Sequence, residues 1–171
     1  MAKPKKPTPI YWDACCFISI LNNEPNANDC LKVVKAAEDG RLIIVTSAIS
    51  LVEVIKLDGK KPIGEADQAT VDAVMLGPHF AIRVVDRTVT QLARRLIWDH
   101  GIAVKDSIHV ATALDAKVAE MHTTDKELLK LSPLSVDGTV LLVEEPDWLD
   151  PDSPEARGHM SLFADDSPSD A

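Results

Sequence analysis

Short apolar runs, each set off by a segment with helical spacing, place the tightest limit on what this chain can fold into. Pro9 to Trp12, Leu42 to Thr46 (LIIVT), Phe80 to Val85, Glu120 to Thr123 and Thr139 to Val143 read as strands. Between them, Ala14 to Asn22 and Asp29 to Gly40 read as helices, the second with Leu31, Val34 and Ala37 at helical spacing. Ser47 is placed to cap a helix that carries Leu51, Val54 and Ile55 inward and ends near Asp58-Gly59. Further helices are expected over Glu65 to Leu76, from a capping box at Thr88 and Gln91 to about Asp99, over Lys105 to Lys117, and over Asp125 to Leu131 behind a capping box of Thr124 and Glu127. Parallel strands need long crossovers, and helices supply them. The alternation therefore predicts an α/β fold with a central parallel sheet covered on both faces.

A chain of 171 residues suits one domain. No apolar stretch reaches the roughly 20 residues of a membrane span, and the basic start MAKPKKPTPI has no apolar signal core. Cys15, Cys16 and Cys30 form neither a paired disulfide framework nor a CxxC metal motif, so reduced thiols in a cytoplasm are expected. The net charge of −9 is concentrated at the end of the chain: from Glu144 onward there are nine acids and one base. The rest is nearly neutral. Lys3, Lys5 and Lys6, Lys56 with Lys60 and Lys61, Arg94 with Arg95, and Lys105 could contact phosphates there, although solvated surface is the commoner role of such clusters. The expected organisation is a basic extension over residues 1–8, a globular domain over 9–145 and an acidic, proline-bearing tail over 146–171. In that tail Trp148 with Leu149, and Leu162 with Phe163, could dock on a surface.

Carboxylates stand at or just beyond several strand-to-helix junctions: Asp13 in YWDACCFI, Glu53 in SAISLVEVIKL, Asp106 in VKDSIHVATAL and Asp125 in HTTDKELLKL. Helix capping would account for Asp13, Asp125 or Asp106 taken singly. Glu53 fits that account least, because it lies among apolar neighbours and needs a partner. Acids gathered in one pocket repel one another and lose hydration, so a shared pocket calls for a hard cation such as Mg²⁺ or Mn²⁺.

The segments IYWDACCFI, TSAISLVEVIKL, KDSIHVATAL and MHTTDKELLKL, in this order, resemble the motifs of PIN-domain nucleases, in particular the VapC-like toxins of bacterial type II toxin–antitoxin systems. The resemblance covers Ile10 to about Val143. It implies a three-layer α/β/α fold and a Mg²⁺ or Mn²⁺ site that hydrolyses RNA phosphodiester bonds. Asp13, Glu53, Asp106 and Asp125 fall on the family's acidic positions as metal-holding and catalytic residues. It further implies a cognate antitoxin and a homodimer. One departure is Ala14-Cys15-Cys16, where such domains often carry a small hydroxyl or amide residue; Cys15 is expected to pack rather than to bind a hard cation.

No other chemistry has a motif. The histidines His79, His100, His109, His122 and His159 fit no zinc spacing, and His109 is expected to be a packed or surface imidazole although it lies near Asp106. GxSxG, GxxxxGK[ST] and GxGxxG are absent. The readings carried forward are a metal-dependent endoribonuclease toxin, an inactive PIN-like binding or scaffold protein, and a nuclease acting on DNA. Glu53→Gln is expected to relieve repulsion in the metal-free fold.

Overall fold

The computed structural model describes residues 6–54 and 65–148. Lys3 and Lys5, the Ile55 to Gly59 end expected for the third helix, the Lys56, Lys60 and Lys61 cluster, and the tail from Leu149 lie outside the described residues.

The elements run β1 (Thr8–Trp12), α1 (Ala14–Leu21), α2 (Ala27–Glu38), β2 (Leu42–Ser47), α3 (Ser50–Glu53), α4 (Glu65–Met75) and β3 (Phe80–Arg83). They continue with α5 (Arg87–His100), α6 (Val104–Asp115), β4 (Glu120–His122), α7 (Lys126–Leu129), β5 (Leu134–Val136) and β6 (Thr139–Glu144). One sheet holds the strands in the order β3-β2-β1-β4-β6-β5, and all its pairs are parallel except β5 with β6. β1 lies between β2, where Ile10 pairs with Ile44, and β4, where Trp12 pairs with His122.

The strand period of two divides the core between the two faces. Ile10, Trp12, Leu42 and Ile44 pack with Phe17 of α1, Cys30 and Val33 of α2, Val54, and Val71 and Met75 of α4. Tyr11 and Val45, one residue out of phase, pack on the opposite face with α5, α6 and α7, where Met121, Leu141 and Val143 join them. The result is the expected three-layer α/β/α arrangement. Small residues allow α6 to approach the sheet closely, since Val110, Ala111 and Ala113 are fully buried. Trp148 also packs against the α1/α2 core, and its indole N–H has no hydrogen-bond partner among the described residues.

Several local expectations are corrected. Ala37 of α2 is buried as expected, but its companions on the buried stripe are Cys30, Val33 and Ala36, whereas Leu31 is exposed. Ser47 ends β2 instead of capping α3, with its Oγ accepting from the Ile49 N–H at 3.4 Å. α5 is capped by Asp86, whose carboxylate accepts from the Val89 N–H at 3.0 Å, and it ends at Gly101 with φ +68°, a left-handed cap that glycine takes without a Cβ clash. β5 was not expected. It forms a hairpin with β6 through Asp137 and Gly138, whose φ of 49° and 79° match a two-residue primed turn.

Along β6, Leu141 is fully buried and Leu142 is 41% exposed. Leu141→Ala is expected to cost about 2–5 kcal/mol in urea unfolding, and Leu142→Ala less than about 1 kcal/mol. Equal losses would show that the two faces of β6 are not distinguished in this way.

Candidate active site

The acidic residues reach one place because parallel strands end at the same edge of the sheet, where α/β folds form their ligand crevices. Asp13 follows β1 and caps α1, its Oδ1 accepting from the Cys15 N–H at 3.0 Å. Glu53 closes α3, just beyond β2. Asp125 lies past the end of β4 and caps α7, accepting from the Glu127 N–H at 2.7 Å. It is itself the cap, in place of the expected Thr124. Asp106 lies in the first turn of α6, which is preceded by Ala103 and has no side-chain cap, so capping does not explain it. These side chains, together with Cys15, Lys105 and His109, line one open cleft of about 480 Å³. Asp106 and Asp125 also border an adjoining hollow of about 360 Å³ that includes Ile102 and Leu128.

Their electrostatic settings differ. Asp13 is buried, and burial, followed by the neighbouring Cys15 sulfur, pushes its carboxyl well above the usual carboxylate range. Its Oδ2 accepts from the Thr123 hydroxyl at 2.6 Å, which opposes that rise. The Cys15 thiol donates to Asp13 Oδ1 at 2.6 Å, and Cys15 Sγ accepts from the Thr124 N–H at 2.9 Å. Hydrogen bonding to Cys16, and then to Asp13, Thr123 and Thr124, brings the Cys15 thiol down to about 6 against the opposing effect of burial. Cys15 is therefore a member of the cleft wall, hydrogen-bonded to the central acid, and more than a packing residue.

Asp106 is raised by burial and then by the charge of Asp125, with Glu53 adding to the effect. Neither Asp106 nor Asp125 forms a salt bridge among the described residues. Glu53 behaves oppositely. Burial would raise it, but hydrogen bonds from His109 and Lys105, 2.7 Å away on separate carboxylate oxygens, outweigh that and leave it lowered. The expectation that Glu53→Gln relieves repulsion is thus reversed.

His109 is the site residue that the sequence reading left aside. Only 3% exposed, it joins Glu53 to the Tyr11 hydroxyl, which lies 2.8 Å from Nδ1. Its position one helical turn beyond Lys105 was the available signal. Nothing in the sequence put Tyr11 or Glu53 beside it.

The donor set suits a hard cation. Asp13, Asp106 and Asp125 offer carboxylate oxygens, and burial first of all raises the proton affinity of Asp13 and Asp106. Among the described residues, the group whose possible donor atoms all lie within 4.8 Å of one another is Asp13, Cys15 and Cys16. Its two sulfurs are a poor match for Mg²⁺, and Cys16 is fully buried with its thiol directed at the His122 carbonyl. The carboxylates are more widely spaced, as suits an ion that keeps much of its water shell.

A family model for the PIN domain matches residues 10–132, and the chain belongs to the PIN-domain family. Membership supports a hydrolase acting on nucleic acid. Solved structures share the fold. VapC20 of Mycobacterium tuberculosis, described as a sarcin–ricin loop cleaving toxin, is 14% identical with a TM-score of 0.56, over 69% of this chain and 91% of that one. VapBC2 of Rickettsia felis, bound to a promoter DNA fragment, is 13% identical with a TM-score of 0.57, over 80% and 98%. A toxin–antitoxin complex from Klebsiella pneumoniae is 16% identical with a TM-score of 0.56, over 82% and 99%. No curated protein matches the sequence. Among the described residues no helix is long and apolar enough to cross a membrane.

The opposite shifts of Asp106 and Glu53 predict opposite responses in metal-free protein. Asp106 holds its proton more tightly when folded, so its ionisation costs stability increasingly as pH rises above its ordinary value of 3.8. Asp106→Asn should therefore raise the melting temperature at pH 7, by roughly 2–4 °C, with the gain vanishing at low pH. Glu53 is lowered, so its stabilising contribution is present above its ordinary value of 4.5 and is lost as pH falls through the folded value. Glu53→Gln should lower the melting temperature at pH 7. Melting curves in EDTA from pH 3 to 8 would disprove this assignment if both variants shifted in the same direction.

Proposed function

We propose that this protein is a Mg²⁺- or Mn²⁺-dependent endoribonuclease and the toxin of a toxin–antitoxin pair, with Asp13, Glu53, Asp106 and Asp125 as its acidic site. The observation that carries the reading is the meeting, in one cleft, of carboxylates separated by most of the chain, three of them without an ion-pair partner among the described residues. A binding scaffold has no need of that uncompensated charge.

Asp13, Asp106 and Asp125 would hold the cation, with Asp13 fixed by the Thr123 hydroxyl and by the Cys15 backbone. When bound, the cation supplies electrostatic stabilisation of the charge that develops on phosphoryl and leaving oxygens. Asp125 keeps a fixed orientation because the first amides of α7 hold its Oδ1. Glu53, ionised and doubly hydrogen-bonded, is placed to orient an attacking water.

The RNA substrate is supported by PIN membership and by the likeness to the mycobacterial toxin, which cleaves the sarcin–ricin loop. An antitoxin is supported by the likeness to a toxin–antitoxin complex, and a homodimer is part of the same proposal. An antitoxin chain entering the cleft would meet negative charge that an Arg could neutralise. The nuclease unit would span residues 9–145, with 1–8 and 146–171 as extensions, and act in the cytoplasm.

Purified wild-type protein should cleave a structured RNA in Mg²⁺, stop in EDTA, and leave a matched DNA intact. Asp106→Asn should remain folded and lose ~100-fold or more in turnover. Millimolar Mg²⁺ should also raise the wild-type melting temperature, by an amount equivalent to ~3 kcal/mol at 100 times Kd. Full activity of Asp106→Asn, or no effect of Mg²⁺ on melting, would reject the site.

A further inference from the structure

Glu53 has two partners at the same distance but in different surroundings. His109 and Lys105 both lie 2.7 Å from its carboxylate, on Oε2 and Oε1 respectively. The His109 side chain is 4% exposed, and that of Lys105 is 68% exposed. His109 is anchored from behind by Tyr11. The Tyr11 hydroxyl lies 2.8 Å from Nδ1, where a phenol O–H donates to an unprotonated ring nitrogen. Nε2 then carries the hydrogen and donates to Glu53, and the ring is held at both ends. It packs edge-on against the Tyr11 ring, with centroids 6.0 Å apart. Lys105 has a long flexible stem, a solvated ammonium and, among the described residues, no ion-pair partner besides Glu53. An exposed pair of this kind gains little net stability, so exchanging one anionic partner for another is inexpensive.

From this asymmetry we infer a division of labour. His109 is a positioning residue that holds Glu53 permanently, and Lys105 is a substrate-binding residue that leaves Glu53 to grip a backbone phosphate of a single-stranded nucleic acid entering the cleft. Both roles rest on the nuclease reading above. Lys105 lines the cleft beside Asp106, so its ammonium offers a phosphate a positive foothold among the acids. As it departs, Glu53 keeps the Nε2–H hydrogen bond and its orientation. The proton stays on His109 throughout, and no group transfer is involved.

The test separates binding from turnover. RNA binding to the full chain is followed by fluorescence anisotropy in EDTA, where nothing is cleaved, and steady-state cleavage is then measured in Mg²⁺. Lys105→Ala should weaken binding and raise KM with kcat within about twofold, and should reduce the slope of log Kd against log salt by ~0.7, the value for one phosphate on a single strand. His109→Leu should leave binding and its salt slope unchanged and lower kcat. His109→Gln, whose amide N–H can replace Nε2–H, should recover much of that loss. An unchanged salt slope in Lys105→Ala would overturn the phosphate role. Equal kcat for wild type and His109→Leu, or no difference between His109→Leu and His109→Gln, would overturn the positioning role. Should His109→Leu fail to fold, Tyr11→Phe serves instead: it removes the hydroxyl anchor and is expected to lower kcat without changing KM, and an unchanged kcat would count against the proposal. Absence of cleavage by wild type would reject the nuclease reading, and the salt slope in EDTA would still report on Lys105.

Discussion

Parallel pairing of β1 with β2 on one side and β4 on the other is the constraint on which the rest of this structure depends. Parallel strands finish at a common edge, and the chain leaving each one must turn there. Asp13, Glu53 and Asp125 are all found shortly after such strand ends, so the backbone brings their charges together before any side-chain contact is made. α6 completes the group by presenting Asp106 from its first turn. Burial first, and then the like charge of Asp125, raises the proton affinity of Asp106.

The fold offsets this charge unevenly. Glu53 receives a buried imidazole and a surface ammonium, and it remains a carboxylate of lowered pKa. Asp13 is treated differently, with hydroxyl, thiol and amide donors but no ion-pair partner among the described residues. The cleft thus has one wall whose charge is matched by protein groups and another whose carboxylates have no cationic partner among the described residues. Uncompensated charge of this kind costs stability, which is the usual expense of a functional site.

Much of the fold was legible in the sequence because strand and helix periods are local properties. LIIVT, TVLLV and the capped α5 announce themselves within a few residues, and the three-layer order follows from their alternation. The errors arose where local signals compete. Thr88 with Gln91 gave a plausible capping box, yet Asp86 caps α5. β5 was passed over because LSV is short and follows a proline, although the Asp137-Gly138 turn after it is a hairpin signal in its own right. For α2, Ala37 is inward as its spacing predicts, but the smaller Cys30 takes the packed face and Leu31 is exposed.

The sequence by itself determined which chemistry was available: carboxylates after apolar runs, thiols too few and too close for a disulfide framework, and no nucleotide loop or serine elbow. Only the tertiary structure decided which acids are compensated and which are not. His109 lies 56 residues from Glu53 and 98 from Tyr11, and no local pattern encodes either separation. Proton affinity depends on burial and on charges a few ångströms away, and those distances exist only after the sheet has aligned its strand ends.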